Sequence, residues 1–430
     1  MNGIAANAAA EFKIDARRIA DRLDAIYECG GRDDGTHARI AYSPEDRRGR
    51  EVFSEFSRRL GLSLREDPAG NLIARREGRV REPAILIGSH LDTVEDGGKY
   101  DGAYGCVAAL EVAEALAAAD FVTEHPIEII VFADEEGVRF GNGMYGSSAF
   151  SGGEMSAFHD DDLDAEGVGR REVLSAFGVD VSRSGEAVRS RAGVHAFIEP
   201  HVEQGNNLNR AGHSVGVVSS IAGVLREEIT IRGEANHAGA TMMKDRCDAL
   251  ATAAVCIAKL PDLVAAHGEK YSVATVGRID VVPNAVNVIP GLCRFTLEVR
   301  DGDEAVMERI ERAFWAELAR AVSASGATAE RRELARHAPA RMNAWVRAKI
   351  GLACAACGYD YSTLPSGAFH DALQMAKRFP TGMIFVPSVG GVSHSRMEQT
   401  RPEDLKAGAE VLLRTILELD ACEGETDESI

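Results

Sequence analysis

"AILIGSHLDTVEDGGKYDG", residues 84–102, decides how this chain is read. It opens as a continuous apolar run, the pattern of a buried strand. It then passes into a loop holding His90, Asp92 and Asp101 among three glycines. A plain turn needs glycine and one Asp at most. It does not need an imidazole and two carboxylates, so matching groups are sought elsewhere. "IEIIVFADEE", 127–136, is a second apolar strand and ends at Glu135 and Glu136. In α/β cores ligands gather at the carboxyl ends of strands, where both polar clusters fall.

Working outward, residues 11–28 and 45–60 are expected to be helical, the second with Val52, Phe53, Phe56 and Leu60 at helical spacing. "NLIARREG" is a strand and the Ala-rich "GCVAALEVAEALAAA" a helix. Strands alternating with helices define an α/β core. From about residue 213 the texture changes. "HSVGVVSSIAG", "VLREEITIRGEA", "YSVATVGRIDVV", "GLCRFTLEVR" and "TAERRELA" read as strands. Two helices interrupt them, the second with Val306, Ile310, Phe314, Leu318 and Val322 on one stripe. The order β-β-α-β-β-α-β approaches a split βαβ sandwich. Residues 213–331 are therefore expected to form an inserted α+β domain, with 1–212 and 332–430 forming the first. A helix near 343–357, the strand "TGMIFVPS" and a helix over 402–419 complete the chain, before an acidic tail expected to fray.

The 430 residues exceed what one core usually serves. An apolar content of 45% and a charged content of 27% are those of a globular protein. A net charge of -19 argues against a nucleic-acid partner. No secretory signal is read at the N-terminus, and no stretch is read as long and apolar enough to span a bilayer. Eight scattered cysteines suit a reducing cytoplasm. Cys354 and Cys357 form "CAAC", but within an expected helix and with no second pair, so they are read as incidental thiols. "GNGMYG", 141–146, matches a dinucleotide loop in letters only, because the acidic pair separates it from its strand.

The remaining ligands come from two stretches. "IEPHVEQG", 198–205, offers His201 between Glu199 and Glu203. "VGGVSHSRMEQT", 389–400, offers His394 in a loop after an apolar strand. With His90, Asp101 and one Glu of "DEEG" they make five ligands. Three imidazoles and two carboxylates suit zinc or manganese. Two ions need a shared oxygen ligand, which Asp101 supplies. Of the adjacent glutamates, one can bind metal while the other takes a proton from water. A carboxylate at Asp92 can hold the far nitrogen of His90.

Taken together, "SHLDTV…GGKYDG", "DEEGVRF", "EPHVEQG", "HAGATMMKDRCDAL", "NVIPG…LEVR" and "SGAFHDA…MIFVPSVGGVSH" resemble the dinuclear metal amidohydrolases. Within that clan the likeness is to the carbamoylase branch, which comprises N-carbamoyl-L-amino acid hydrolases, allantoate amidohydrolases and β-ureidopropionases. The motifs run in order from about 85 to 400. The resemblance implies a mixed-sheet, metallopeptidase-like catalytic domain with an inserted ferredoxin-like lid and dimerisation domain. It implies two divalent ions, zinc first and then manganese, cobalt or nickel. His90 would pair with His201 and Glu136 with His394, with Asp101 bridging, Glu135 as general base and Asp92 orienting His90. Gln204, Asn287, Arg300, Gly367 and His370 would contact substrate. His237 would stabilise the oxyanion, entering the partner's site in a homodimer. The implied reaction is hydrolysis of the ureido C–N bond of an N-carbamoyl amino acid or an allantoate-like compound, releasing ammonia and carbon dioxide. Alternatives are an aminoacylase or dipeptidase on the same centre, or a non-catalytic binding protein. His201, where those relatives carry an acidic ligand, favours the carbamoylase branch. Phe369 departs from the pattern, since many relatives have a small residue there, and bears on substrate choice.

Overall fold

The computed structural model describes residues 12–153 and 155–422. The start of the chain, residue 11 of the first expected helix and the acidic tail from 423 lie outside the described residues. The chain divides into two compact units. One comprises residues up to Ser219, Met342–Leu364 and the residues from Ala368; the other comprises Ser220–Arg341 and Pro365–Gly367.

The first unit is built on a mixed sheet. Its strands run in the spatial order Ser63–Glu66, Leu72–Arg76, Ile127–Phe132, Ala84–His90, Val194–Val202, Thr381–Val386 and Val215–Ile221. The four central strands are mutually parallel. The outer pairings are antiparallel. The parallel strands are buried on both faces, which is why they read as unbroken apolar runs. Their shared direction brings His90, the "DEEG" turn, His201 and the His394 loop to one edge of the sheet.

The longer helices of this unit are Ala16–Glu28, Pro44–Arg59, Ala103–Ala118, Ala344–Cys357 and Pro402–Asp420. The Ala-rich helix is almost wholly buried, because small side chains let it lie close against the sheet. Gly105 shows how close: a Cβ there would sit 2.3 Å from the Pro200 carbonyl oxygen.

The second unit holds an antiparallel sheet in the order Thr328–His337, Gly223–Arg232, Leu292–Asp301 and Val273–Thr275, with Ile279–Val282 also on Leu292–Asp301. Helices Ala249–His267 and Glu304–Ser325 cover one face. Val306, Ile310, Phe314 and Leu318 are buried there with Leu225, Ile229, Phe295 and Leu297, and Val322 packs at the margin.

Three expectations change. The run 213–221 is not the first strand of the inserted part, because Val215–Ile221 pairs with Thr381–Val386 in the large sheet. Thr328–His337 runs past residue 331 and stays with the small sheet. One helix, Ala249–His267, is long and apolar enough by length and composition to cross a membrane, contrary to the sequence reading. In the fold it lays Ala253, Cys256 and Leu260 into the core of the second unit. All eight cysteines are unpaired, with Cys354 buried in a helix.

A candidate metal centre

His90 ends its strand fully buried. Its Nδ1 lies 3.0 Å from the main-chain oxygen of Asp92, which fixes the ring and leaves Nε2 facing the cluster. Nε2 is 3.8 Å from Asp101 Oδ1 and 3.6 Å from Glu135 Oε2. Burial holds the His90 imidazole down to about 4, so it is the neutral form that a cation needs. The carboxylate of Asp92 does something the sequence did not disclose. It lies 3.7 Å from His90, beyond hydrogen-bond reach, and accepts the N–H groups of Glu135 and Glu136 at 3.3 and 3.1 Å.

Asp101 sits just before the helix Ala103–Ala118. Gly102, at φ +62, makes the turn, and a Cβ there would meet the His90 ring at 2.4 Å. The two Asp101 oxygens face different partners. Oδ1 is 3.2 Å from His201 Nε2, and Oδ2 is 3.3 Å from His394 Nε2. Gln204 donates to Oδ2 at 2.7 Å. Burial alone would raise the Asp101 carboxyl, but hydrogen bonds from His201 and His394 hold it well below the usual range.

The "DEEG" turn is made by Asp134 in the left-handed region, at φ +55. Burial, and then the charge of Glu136, push Glu135 well above the usual carboxylate range, and burial and then Asp101 do the same to Glu136. The "GNGMYG" run cradles this turn. N–H groups of Met144, Tyr145 and Gly146 donate to the carbonyls of Glu135, Asp134 and Ala133 at 2.9, 3.2 and 2.8 Å. A Cβ on Gly143 would lie 2.0 Å from the Glu135 carbonyl oxygen. Beneath the turn, buried Arg170 lies 4.3 Å over the Phe140 ring and 3.4 Å from Asp134 Oδ2.

His201 is buried, with Nδ1 2.9 Å from the Val202 oxygen. Its glutamate neighbours face elsewhere. Glu199 accepts from Ser89 and from the Ala372 N–H, and Glu203 caps Asn207 and Leu208. His370 is buried with its ring centroid 4.4 Å from that of His201. His394 is half-exposed, 3.6 Å from Glu136 Oε2.

Two trios capable of holding an ion therefore share Asp101: His90, Asp101 and His201, and Asp101, Glu136 and His394. Glu135 lies beside the first, grouped with His90 and Glu136. Glu199, His201 and His370 form a further close group. His237, Asn287, Arg300 and Gly367 belong to the second unit. There His237 is exposed and accepts from the Gly239 N–H at 3.1 Å, while the Asn287 carbonyl accepts from Ala238. Arg300 donates to Glu298 at 2.8 Å and to the Gly367 carbonyl at 3.0 Å. Arg170, Gly143 and Glu398 were not singled out by the sequence reading. Glu398 lies in the quoted "SHSRMEQT", but nothing local marks its side chain as buried.

A mixed α/β sheet that gathers imidazoles and carboxylates at its strand ends presents a candidate metal centre of the kind a hydrolase uses. The chain belongs to the peptidase family M20/M25/M40, whose profile matches residues 86–418. It is 38% identical over 407 residues to an N-carbamoyl-L-amino acid amidohydrolase of Geobacillus stearothermophilus, covering 94% of this chain and 99% of that protein. It is 33% identical to an allantoate amidohydrolase of Bacillus subtilis, covering 93% and 97%. The crystal structure of a hydantoinase/carbamoylase family amidase from Burkholderia multivorans superposes with a TM-score of 0.89 at 33% identity, covering 96% and 100%.

Proposed function

We propose that the protein hydrolyses the ureido C–N bond of an N-carbamoyl-L-amino acid or an allantoate-like acid. The observation that carries this is the pair of trios sharing one carboxylate, in a chain alike to carbamoyl-amino-acid and allantoate amidohydrolases along nearly its whole length.

The donor set fits two divalent ions. Two buried glutamates beside a third carboxylate are costly without a cation. His90 is already in the neutral form that ligates, while His201, lowered by burial but raised overall to about 9 by Asp101, would give up its proton to the ion. His90 and His201 would hold one ion and Glu136 and His394 the other, with Asp101 between them. Zinc suits these ligands, and manganese, cobalt or nickel could replace it. Bound there, such ions lower the pKa of water and polarise a carbonyl.

The chain's own groups do the rest. Glu135, raised in pKa by burial and then by Glu136, accepts the proton of the attacking water and returns it to the leaving nitrogen. Asp92 holds the backbone of that turn, so Glu135 needs no reorganisation. Arg300 and Asn287 would bind the substrate carboxylate, Arg300 through a planar fork that suits two oxygens. Gln204, Gly367 and His370 would line the site, and His237 would stabilise the oxyanion. Phe369, half-buried, would set the room for the substrate's side chain. In this reading the second unit, Ser220–Arg341 with Pro365–Gly367, is the lid and dimer contact of a homodimer. Eight unpaired cysteines suit a reducing, cytoplasmic setting.

The test is product release by metal-stripped protein before and after adding zinc or manganese, read as ammonia for the ureido acids and as free amino acid for the acetyl compound and the dipeptide. Substrates are N-carbamoyl-L-amino acids, allantoate, N-carbamoyl-β-alanine, an N-acetyl amino acid and a dipeptide. Metal-restored release from a ureido acid is the expected result. Cleavage of only the acetyl compound or the dipeptide would overturn the assignment.

A further inference from the structure

We propose that Glu398 is a positioning residue that locks the Asp101 loop to the His394 loop, and so sets how tightly the ion between Asp101, Glu136 and His394 is held. The inference rests on the two-ion reading above.

Among the five candidate ligands, His394 is the one left half-exposed, on a loop residue at φ +51. Packing therefore does little to hold its ring. Four residues on, Glu398 turns inward and is only 6% exposed. Its Oε2 accepts the N–H groups of both Tyr100 and Asp101, at 2.9 and 3.1 Å. Its Oε1 accepts the Ser393 hydroxyl at 2.8 Å. Charge-assisted bonds of this kind are about twice as strong as neutral ones. Gly98 makes the approach possible, since a Cβ there would sit 2.1 Å from Glu398 Oε2.

Both oxygens of Glu398 are thus spent on these contacts. It belongs to none of the close ligand groups among the described residues. Its effect on an ion runs through Asp101 and His394. Ser393 adds a second link: its oxygen also lies 3.2 Å from Asp101 Oδ2, the oxygen that faces His394. A hydroxyl has one proton to give. With a carboxylate at 398 that proton is drawn to Glu398, leaving Asp101 Oδ2 freer to bind a cation. An amide at 398 could keep one oxygen on the two N–H groups and turn its NH2 toward Ser393. The Ser393 proton would then go to Asp101 Oδ2 and compete with the ion.

The experiment is calorimetric titration of metal-stripped full-length protein with manganese. The proteins are wild type, Glu398→Ala, Glu398→Gln, Ser393→Ala and the Glu398→Gln/Ser393→Ala double variant. Circular dichroism confirms the fold of each. Glu398→Ala should weaken one ion by about 10–100-fold and leave the other near its wild-type affinity. Glu398→Gln should lose less, and removing Ser393 in that background should recover affinity, a non-additive result. Wild-type affinities in Glu398→Ala, or an equal loss at both ions, would overturn the proposal. So would a Glu398→Gln variant no better than Glu398→Ala. If Glu398→Ala does not fold, the Glu398→Gln and double-variant pair decides. Wild-type protein that binds no ion would instead sink the metal reading itself, and this inference with it.

Discussion

The main-chain oxygen of Asp92, at 3.0 Å from Nδ1, orients the ring of His90, while the Asp92 side chain serves the neighbouring glutamate turn. Two tasks that would otherwise need two residues are thereby separated within one. Replacing the side chain should leave His90 in place and disturb Glu135 and Glu136.

Asp92→Asn is accordingly expected to bind metal but turn over slowly. An amide offers one acceptor oxygen to two N–H groups and sets its own NH2 against the other. The loss should be on the order of 10–100-fold in kcat. Metal content after gel filtration, read beside kcat, checks this; loss of metal in step with activity would contradict it.

Glu135→Gln separates binding from chemistry. Losing a general base costs about 10²–10⁴-fold in rate. Saturation at 100 times Kd stabilises a protein by about 2.7 kcal/mol. The variant should keep the wild-type rise in Tm on adding zinc or manganese while its turnover collapses. Full turnover would remove Glu135 from the reaction.

Gly143→Ala should be damaging although glycine-to-alanine changes are often mild. The new methyl would meet the Glu135 carbonyl oxygen at 2.0 Å, and that oxygen cannot retreat without moving the turn. A cost of about 1–3 kcal/mol is expected, with activity lost as well. Gly185→Ala is the control, since nothing lies within 4 Å of its Cβ position. Thermal melts and turnover of the two variants give the comparison.

His195 predicts a pH dependence of stability away from the metal centre. Burial, and then His125 stacked 4.2 Å away, lower its pKa from 6.5 to about 4. The unfolded chain takes up this proton below about 6.5, whereas the folded protein resists until about 4. The contribution is therefore present above about 6.5 and is lost as pH falls toward about 4. His195→Gln should flatten the urea midpoint against pH over that window. An unchanged slope would rule the residue out as its source.

Much of this was legible in the sequence because it is local. Each central strand announces itself as an apolar run, and His90, the "DEEG" pair and the His394 loop each follow such a run. Parallel strands deliver whatever follows them to one edge, so the candidate ligands can be counted from the sequence. The inserted part was less legible. Residues 215–221 read as a strand like those that follow, and nothing local says that they pair with Thr381–Val386 rather than with the small sheet. Ala249–His267 shows the same limit from the other side, since its composition alone cannot tell a membrane span from a helix with one face in a core.

What the sequence by itself determined was the central apolar strands, the candidate ligand types and the order in which they occur, because periodicity and residue chemistry are written over a few neighbouring positions. What only the tertiary structure decided was how those ligands are held. Asp92 reaches the Glu136 N–H across 44 residues of chain, Glu398 reaches the Tyr100 N–H across 298, and the two Asp101 oxygens divide between His201 and His394. Such contacts join groups whose distance in sequence carries no pattern, so only the folded chain reveals them.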